Sequence, residues 1–303
     1  MSFSGGKDST VLADIAAQVC KMLEYKLILW FSDTGLEYPE IKNHVDKMGK
    51  YLEGKYHIDV ETVIDYPKDK DGKRITFRQV IEKYGYPIIS KEVARDVGRY
   101  QKNKGINSKT GEETYASKLL HGTVYLNNGK PSRFNKQQWF YLTDAPFKIS
   151  NTCCDVMKKN PSHKFEKERR LKPIIATMAE ESSLRKSQWI KQGCNSYDLN
   201  NPASKPISFW TEQDILEYIC RYDIPIASVY GEIKKDDNGL YYTTGCERTG
   251  CVFCGLGCHL EREPNRFQQL KDTHPKLYEY CMKSWDKGGL GLDEVLNYIK
   301  VKH

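Results

Sequence analysis

No stretch of this 303-residue chain approaches the roughly 20 consecutive apolar residues that a membrane-crossing helix requires. Nor does the chain open with the basic, apolar and small-residue order of a secretory leader, so a cytoplasmic location and no membrane partner are expected. Repeats of fixed period and low-complexity tracts are also missing, which excludes a repeat array and a long disordered tail. The Gly-x-x-x-x-Gly-Lys-Ser/Thr spacing of the Walker phosphate loop is absent as well. Against these absences stand 39% hydrophobic and 29% charged residues, the ordinary balance of a globular chain with polar loops. The length suits one large domain or a domain with a substantial extension.

Two features are plentiful. Ten cysteines without a secretion signal argue for reduced thiols, some of them metal ligands, rather than for a disulfide framework. A net charge of +7 and a sequence pI near 8.7 favour anionic partners, a need that nucleotides alone would satisfy.

The most informative segment is Ser4-Gly5-Gly6-Lys7-Asp8-Ser9. Two adjacent glycines let the backbone turn its N–H groups toward an anion, and the run from Thr10 to Leu23 starts a helix whose N-terminus adds positive partial charge. Lys7 brings a full charge, and Ser4 and Ser9 bring hydroxyl donors. A bare Gly-Gly turn before an amphipathic helix would need none of the other four residues.

Leu27–Phe31 is a continuous apolar run of strand length, and Pro39 suits the first turn of a following helix. Residues 59–64 alternate as a further strand, and residues 171–176 read as another. Strands alternating with helices predict an α/β fold, a doubly wound and mostly parallel sheet with helices on both faces, binding its ligand at the strands' carboxyl ends. Thr211 is placed to cap a helix whose Ile215, Tyr218 and Ile219 share a face. Residues 101–136 weaken into Lys, Asn, Gly and Ser and read as an insertion or mobile loop. These patterns divide the chain into a nucleotide-binding domain over 1–235 and a small Cys-rich helical module over 236–303.

Cys153-Cys154 and Cys251-Val252-Phe253-Cys254 form a second constellation, with Cys246 and Cys258 as alternates. A Cys-x-x-Cys turn brings two thiolates to one centre, and a distant pair completes four ligands for zinc or for an iron-sulfur cluster. Cys20, Cys194, Cys220 and Cys281 stand apart and read mostly as packed thiols.

The Ser4–Ser9 segment resembles the loop of the PP-loop ATP pyrophosphatases, and the chain is identified as a resembling member of their phosphoadenosine phosphosulfate (PAPS) reductase family. Asp33-Thr34-Gly35-Leu36-Glu37-Tyr38-Pro39-Glu40 and Glu181-Ser182-Ser183-Leu184-Arg185 are similar to two further family segments. The resemblance implies that Ser4, Gly5, Gly6, Lys7, Asp8 and Ser9 hold ATP phosphates. It also implies that Ser32, Asp33 and Thr34 border the adenosine and that Arg185 pairs with a phosphate or sulfate. Lys7, Asp8 and Arg185 are then the candidate catalytic residues, with Mg²⁺ on the phosphates. An adjacent Cys-Cys followed by Cys-x-x-Cys resembles the cluster pattern of adenylyl-sulfate reductases and implies a 4Fe-4S cluster, with zinc as the alternative.

The resemblance also implies a strand before the loop, where only Met1-Ser2-Phe3 stand. Arg248–Gly255 is similar to the cysteine segment of uncharacterised PAPS-reductase-family proteins and of DNA-phosphorothioation proteins, which leaves a nucleic acid, sulfate or a small metabolite as the acceptor and implies a sulfur-donor protein as a partner. Adenylyl-sulfate or PAPS reductases carry a C-terminal Glu-Cys-Gly-x-His segment that this chain lacks, and the complete Gly5-Gly6-Lys7-Asp8 favours ATP activation over sulfate reduction. A non-catalytic nucleotide- or nucleic-acid-binding component remains the other alternative.

Overall fold

A computed structural model describes residues 1–198 and 202–303. The chain forms two compact units, one of Met1–Arg74 and Lys158–Cys251, the other of Ile75–Met157 and Val252–His303. The fold is α/β, rich in helices, with few and short strands.

In the first unit, helix α1 (Lys7–Leu23) buries Val11, Leu12, Ala13 and Ala17. Each large aliphatic side chain so removed from water contributes roughly 1.5–3 kcal/mol. Strand β1 (Leu27–Ser32) follows, and helix α2 (Pro39–Tyr56) opens with the proline in its first turn, where the missing N–H leaves no hydrogen bond unmade. Strand β2 (Val60–Asp65) then pairs parallel with β1, from Leu27 against Val60 to Ser32 against Asp65.

Ahead of the loop, Met1–Phe3 make isolated bridges rather than a named strand. Ser2 bridges in parallel to Trp30 on one side and Ile175 on the other. The Phe3 N–H donates to the Trp30 carbonyl at 2.8 Å, and the Ser2 N–H to that of Ile174 at 2.9 Å. The predicted strand over 171–176 shrinks to bridges at Ile174 and Ile175. Pro173 has no N–H to give, and only its carbonyl takes part, accepting from the Ser204 N–H at 3.0 Å.

The helix Glu212–Tyr222 starts at Thr211, whose side chain accepts from the Asp214 N–H in a capping box. Its Ile215, Leu216 and Ile219 are buried, and the Tyr218 hydroxyl donates to Asp14 at 2.8 Å. Asp14, fully buried in α1, also accepts from Lys55 Nζ at 3.0 Å, the Tyr56 hydroxyl at 2.8 Å and Gln18 Nε2 at 3.1 Å. One carboxylate thus ties three helices of the unit together.

The second unit contains the helices Phe77–Tyr84, Lys91–Asn103, Tyr115–His121, Arg266–Thr273, Pro275–Met282 and Leu292–Tyr298. Ile88–Ile89 pairs in parallel with Gly255–Leu256. Residues 101–136, expected as an insertion or mobile loop, are folded here. Thr114 caps the helix Tyr115–His121, which buries Ala116, Leu119 and Leu120. Lys136 is buried with its Nζ 2.9 Å from Asp96 Oδ2. Burial pushes the Asp96 carboxyl up, but Arg95 and Lys136 outweigh it and hold the group below the usual carboxylate range. A few apolar positions scattered among Lys, Asn and Gly anchor the segment, too sparsely to show a period. No helix among the described residues is long and apolar enough to cross a membrane.

Candidate functional site

The loop between Phe3 and α1 is built as its residue types require. Gly5 has φ +71°, and a Cβ there would lie 2.8 Å from the side chains of both Ile41 and Val45, so only glycine fits. The hydroxyls of Ser4 and Ser9 are 2.9 Å apart, and Ser9 Oγ donates to the Gly6 carbonyl at 2.9 Å. The Gly6 N–H reaches Ser4 Oγ at 3.3 Å. The loop's shape is therefore fixed by its own serines at the start of the helix.

Lys7 is only 4% exposed. Its ammonium lies 3.1 Å from Glu212 Oε1 and 3.4 Å from Asp8 Oδ1, and it donates to the Glu247 carbonyl at 3.1 Å. Burial alone would lower its pKa, but the Asp8 and Glu212 carboxylates outweigh that and raise it, so the side chain is charged. The Lys7 backbone N–H donates to the Tyr230 hydroxyl at 3.0 Å, which in turn pairs with the Thr249 hydroxyl at 2.6 Å. Burial raises the Asp8 carboxyl against the pull of Lys7, and its Oδ1 is buried with no hydrogen-bond donor.

A cavity of about 1230 Å³ opens beside the loop, at the carboxyl ends of Met1–Phe3, β1 and Ile174–Ile175. Ser4, Ser9, Ser32, Thr177, Arg185 and Thr249 are among its lining residues. Arg185 ion-pairs with Glu181, which also binds Arg248. Ser32 faces the cavity, whereas Asp33 and Thr34 are spent on the turn itself. Asp33 binds Lys42 at 2.6 Å and Arg74 at 2.9 Å; burial raises its pKa, but these two cations lower it on balance. The Thr34 hydroxyl donates to Glu37 Oε1 at 2.7 Å.

One wall of the cavity is strongly cationic. Lys158, Lys159, Lys167, Arg170 and Lys172, from and beside the helix Asn160–Arg169, line it, and Lys205 is also among the cavity's lining residues. Lys158 lies 3.7 Å from Glu37, while Lys167, Arg170, Lys172 and Lys205 make no ion pair among the described residues.

The cysteines are distributed over both units. Cys153 and Cys154 bring their sulfurs to 4.0 Å in the second unit, which also holds Cys254 and Cys258. Cys251 is the last residue of the first unit, and Cys246 lies in that unit near Tyr38 and Glu40. Cys258 donates to the Gly255 carbonyl at 3.1 Å, and burial pushes its thiol up to about 12, so it is a neutral thiol at physiological pH. Thiols suit zinc or an iron-sulfur centre chemically. Among the described residues, however, no three His, Cys, Asp or Glu side chains are grouped to hold a metal ion. Of the isolated cysteines Cys281 is fully buried, while Cys220 is exposed on the outer side of its helix rather than packed.

A family model for the phosphoadenosine phosphosulfate reductase domain matches residues 1–86 and 76–256. The chain belongs to the PAPS reductase domain family. Among solved structures it is similar to phosphoadenylyl-sulfate (PAPS) reductase from Candida auris in a phosphate complex. The identity is 12% over 79% of this chain and 81% of that one, with a TM-score of 0.36. No curated protein matches the chain.

In this member of the PAPS reductase domain family, several residues beside the loop carry no motif of their own. Glu212, Tyr230 and Glu247 meet Lys7 from positions more than 200 residues along the chain, and nothing local in sequence announces those pairings; Thr249, within the Arg248–Gly255 segment, reaches Tyr230. The basic run 158–172, with seven Lys and Arg, was visible as composition, but its place on the cavity wall required the fold.

His44 supports the loop from behind. Its Nε2 lies 2.9 Å from the Thr10 hydroxyl, and burial lowers its pKa from 6.5 to about 4. Between those values the unfolded chain binds a proton that the folded chain refuses, so stability falls as pH drops from 6.5 toward 4 and levels off below. At pH 4.5 the expected loss from this one group is about 2–3 kcal/mol. Urea unfolding at pH 7 and pH 4.5 should show that loss in the native chain and a smaller one in His44→Gln.

Proposed function

We propose that this chain is an ATP-activating member of the PAPS reductase domain family, close to the DNA-phosphorothioation branch. It binds ATP, cleaves it to AMP and pyrophosphate, and adenylates an acceptor for sulfur transfer. The observation that carries this reading is the intact loop, whose Ser4 and Ser9 line the cavity while Lys7 stands charged directly behind them. We read the parallel pairings beneath it as part of a doubly wound sheet, with the nucleotide chemistry in residues 1–235 and the Cys-rich module in 236–303.

In the proposed reaction an acceptor oxygen attacks the α-phosphorus. The bond to the β-phosphate oxygen breaks, and its electron pair leaves with pyrophosphate. Developing charge on the leaving group is met by Lys7 and by the loop's N–H and hydroxyl donors, the kind of preset electrostatic stabilisation that lowers such barriers most. Arg185 holds a second phosphate oxygen, and the backbone of Ser32, Asp33 and Thr34 borders the adenosine. The orphaned Asp8 Oδ1 fits a cation partner, and Mg²⁺ held there would supply further positive charge to the phosphates.

At about 1230 Å³ the cavity is larger than the roughly 300–1,000 Å³ usual for a single small ligand. Its cationic wall supports a nucleic-acid acceptor, bound through its phosphates. Cys153, Cys154, Cys251 and Cys254 are the proposed thiolate ligands of a 4Fe-4S cluster, with zinc as the alternative, and a sulfur-donor protein completes the scheme. A reductase needs a reactive thiol to attack the sulfonyl sulfur, and Cys281 does not have that character. The last cysteine, Cys281, is fully buried, donates to the Tyr278 carbonyl and has its thiol pushed up to about 12.

The test begins with anaerobic purification and iron and sulfide analysis. Binding of a single-stranded oligonucleotide is then titrated against salt, with ATP and Mg²⁺ present and pyrophosphate followed. Lys167→Glu with Arg170→Glu should weaken that binding and flatten its log–log salt slope by about 1 per lost phosphate contact. Oligonucleotide binding without pyrophosphate release would instead support a non-catalytic component, and sulfite release from PAPS would support a reductase.

A further inference from the structure

The Lys7 ammonium donates a hydrogen bond to the Glu247 carbonyl at 3.1 Å and lies within ion-pair distance of Glu212 Oε1 and Asp8 Oδ1, at 3.1 and 3.4 Å. The Lys7 backbone N–H is also taken, by the Tyr230 hydroxyl. A phosphate that reaches Lys7 must therefore displace something. The Glu247 carbonyl is the one of the three partners without a net charge, so it gives up the least Coulomb attraction to the ammonium when it is displaced.

That carbonyl belongs to a short segment laid across the loop. Gly245 and Cys246 donate their N–H groups to the carbonyls of Tyr230 and Val229, at 2.9 and 3.0 Å. Arg248 is pinned by Glu181, and Thr249 Oγ1 would lie 3.4 Å from a Cβ added at Gly6. Thr249 and Gly250 line the same cavity as Ser4 and Ser9, and the next residue is Cys251.

We propose that residues 245–250 form a strap that closes the phosphate loop of the nucleotide-free protein and that a nucleotide's phosphates must open it. Tyr230 and Thr249 are its latch, and its far end is Cys251, so occupancy of the loop is passed directly to a cysteine of the Cys-x-x-Cys turn. Linkage makes the effect reciprocal. A group bound at Cys251 that holds the strap shut and a nucleotide that opens it lower each other's affinity by the same factor.

The inference rests on nucleotide binding at the loop, and the experiment separates the two ideas. Binding of α,β-methylene-ATP with Mg²⁺ is measured by calorimetry for the whole protein and for Thr249→Val. Loss of the latch bond should tighten binding about 3- to 10-fold, the equivalent of one ordinary hydrogen bond no longer broken on entry. Damage to a phosphate-contacting residue would weaken binding instead. Arg248→Ala, an exposed change that removes the second pin, should act in the same direction if Thr249→Val folds poorly. In the native chain, amide hydrogen exchange of the peptide covering 245–250 should rise several-fold when the nucleotide binds. No binding by the native chain overturns the nucleotide reading. Binding that is unchanged or weaker in both variants, or exchange in 245–250 that does not rise, overturns the strap alone.

Discussion

Lys7→Ala should lower the rate of pyrophosphate release from ATP by about 100- to 1,000-fold, the usual effect of removing one preset charge-stabilising donor from a reacting centre. The size of the effect follows from the setting. Lys7 is buried and positively charged, so its field at the loop is only partly screened by solvent. Most of the loss should fall on kcat, because the charge on the leaving pyrophosphate grows only as the bond breaks. Removal also leaves Asp8 facing Glu212 without a shared cation, which should raise the Asp8 carboxyl further. Steady-state kinetics across pH 6 to 9, with thermal unfolding as a control for folding, would separate the lost charge from a damaged loop. An unchanged kcat would remove Lys7 from the chemistry.

Asp14→Ala should be the most destabilising single substitution in the first unit, at about 3–5 kcal/mol, the range for removing one partner from a buried ionic network. Four donors converge on this carboxylate from α1, α2 and the helix Glu212–Tyr222. Burial would lower Lys55, but its hydrogen bond to Asp14 holds it well above its ordinary value; burial and the same carboxylate hold Tyr218 up. Lys55 is partly exposed and can turn to water, which limits its share of the cost. The two tyrosine hydroxyls and the Gln18 amide are left facing a cavity. Asp14→Asn keeps an acceptor oxygen and should cost clearly less. Urea unfolding monitored by tryptophan fluorescence would check both, with a lowered midpoint and an unchanged m-value expected.

Local features of this chain were legible wherever one residue type does one physical job. Pro39 marked a helix start, Thr211 a cap, and Leu27–Phe31 a buried strand, and each lies where its chemistry demands. The loop was readable for the same reason, since Gly5 occupies a backbone conformation that would press a side chain into Ile41 and Val45. The strand at 171–176 was overread because apolar patterning does not register that Pro173 cannot donate. Residues 101–136 were underread because their few buried apolar positions are spread among polar ones. Beyond its neighbour Asp8, what surrounds Lys7 is not legible in the sequence. Glu247 lies 240 positions away, and a pairing of that kind is fixed by the packing of whole helices rather than by any local pattern.

Product analysis bears most directly on the proposed chemistry. The anaerobically purified chain is incubated with ATP labelled at the α-phosphate, Mg²⁺ and a single-stranded oligonucleotide, and the labelled products are separated. Pyrophosphate is expected in proportion to label found as AMP or as adenylylated acceptor, with its formation lost in Lys7→Ala. ADP with inorganic phosphate, or intact ATP alongside sulfite release from PAPS, would contradict cleavage between the α- and β-phosphates.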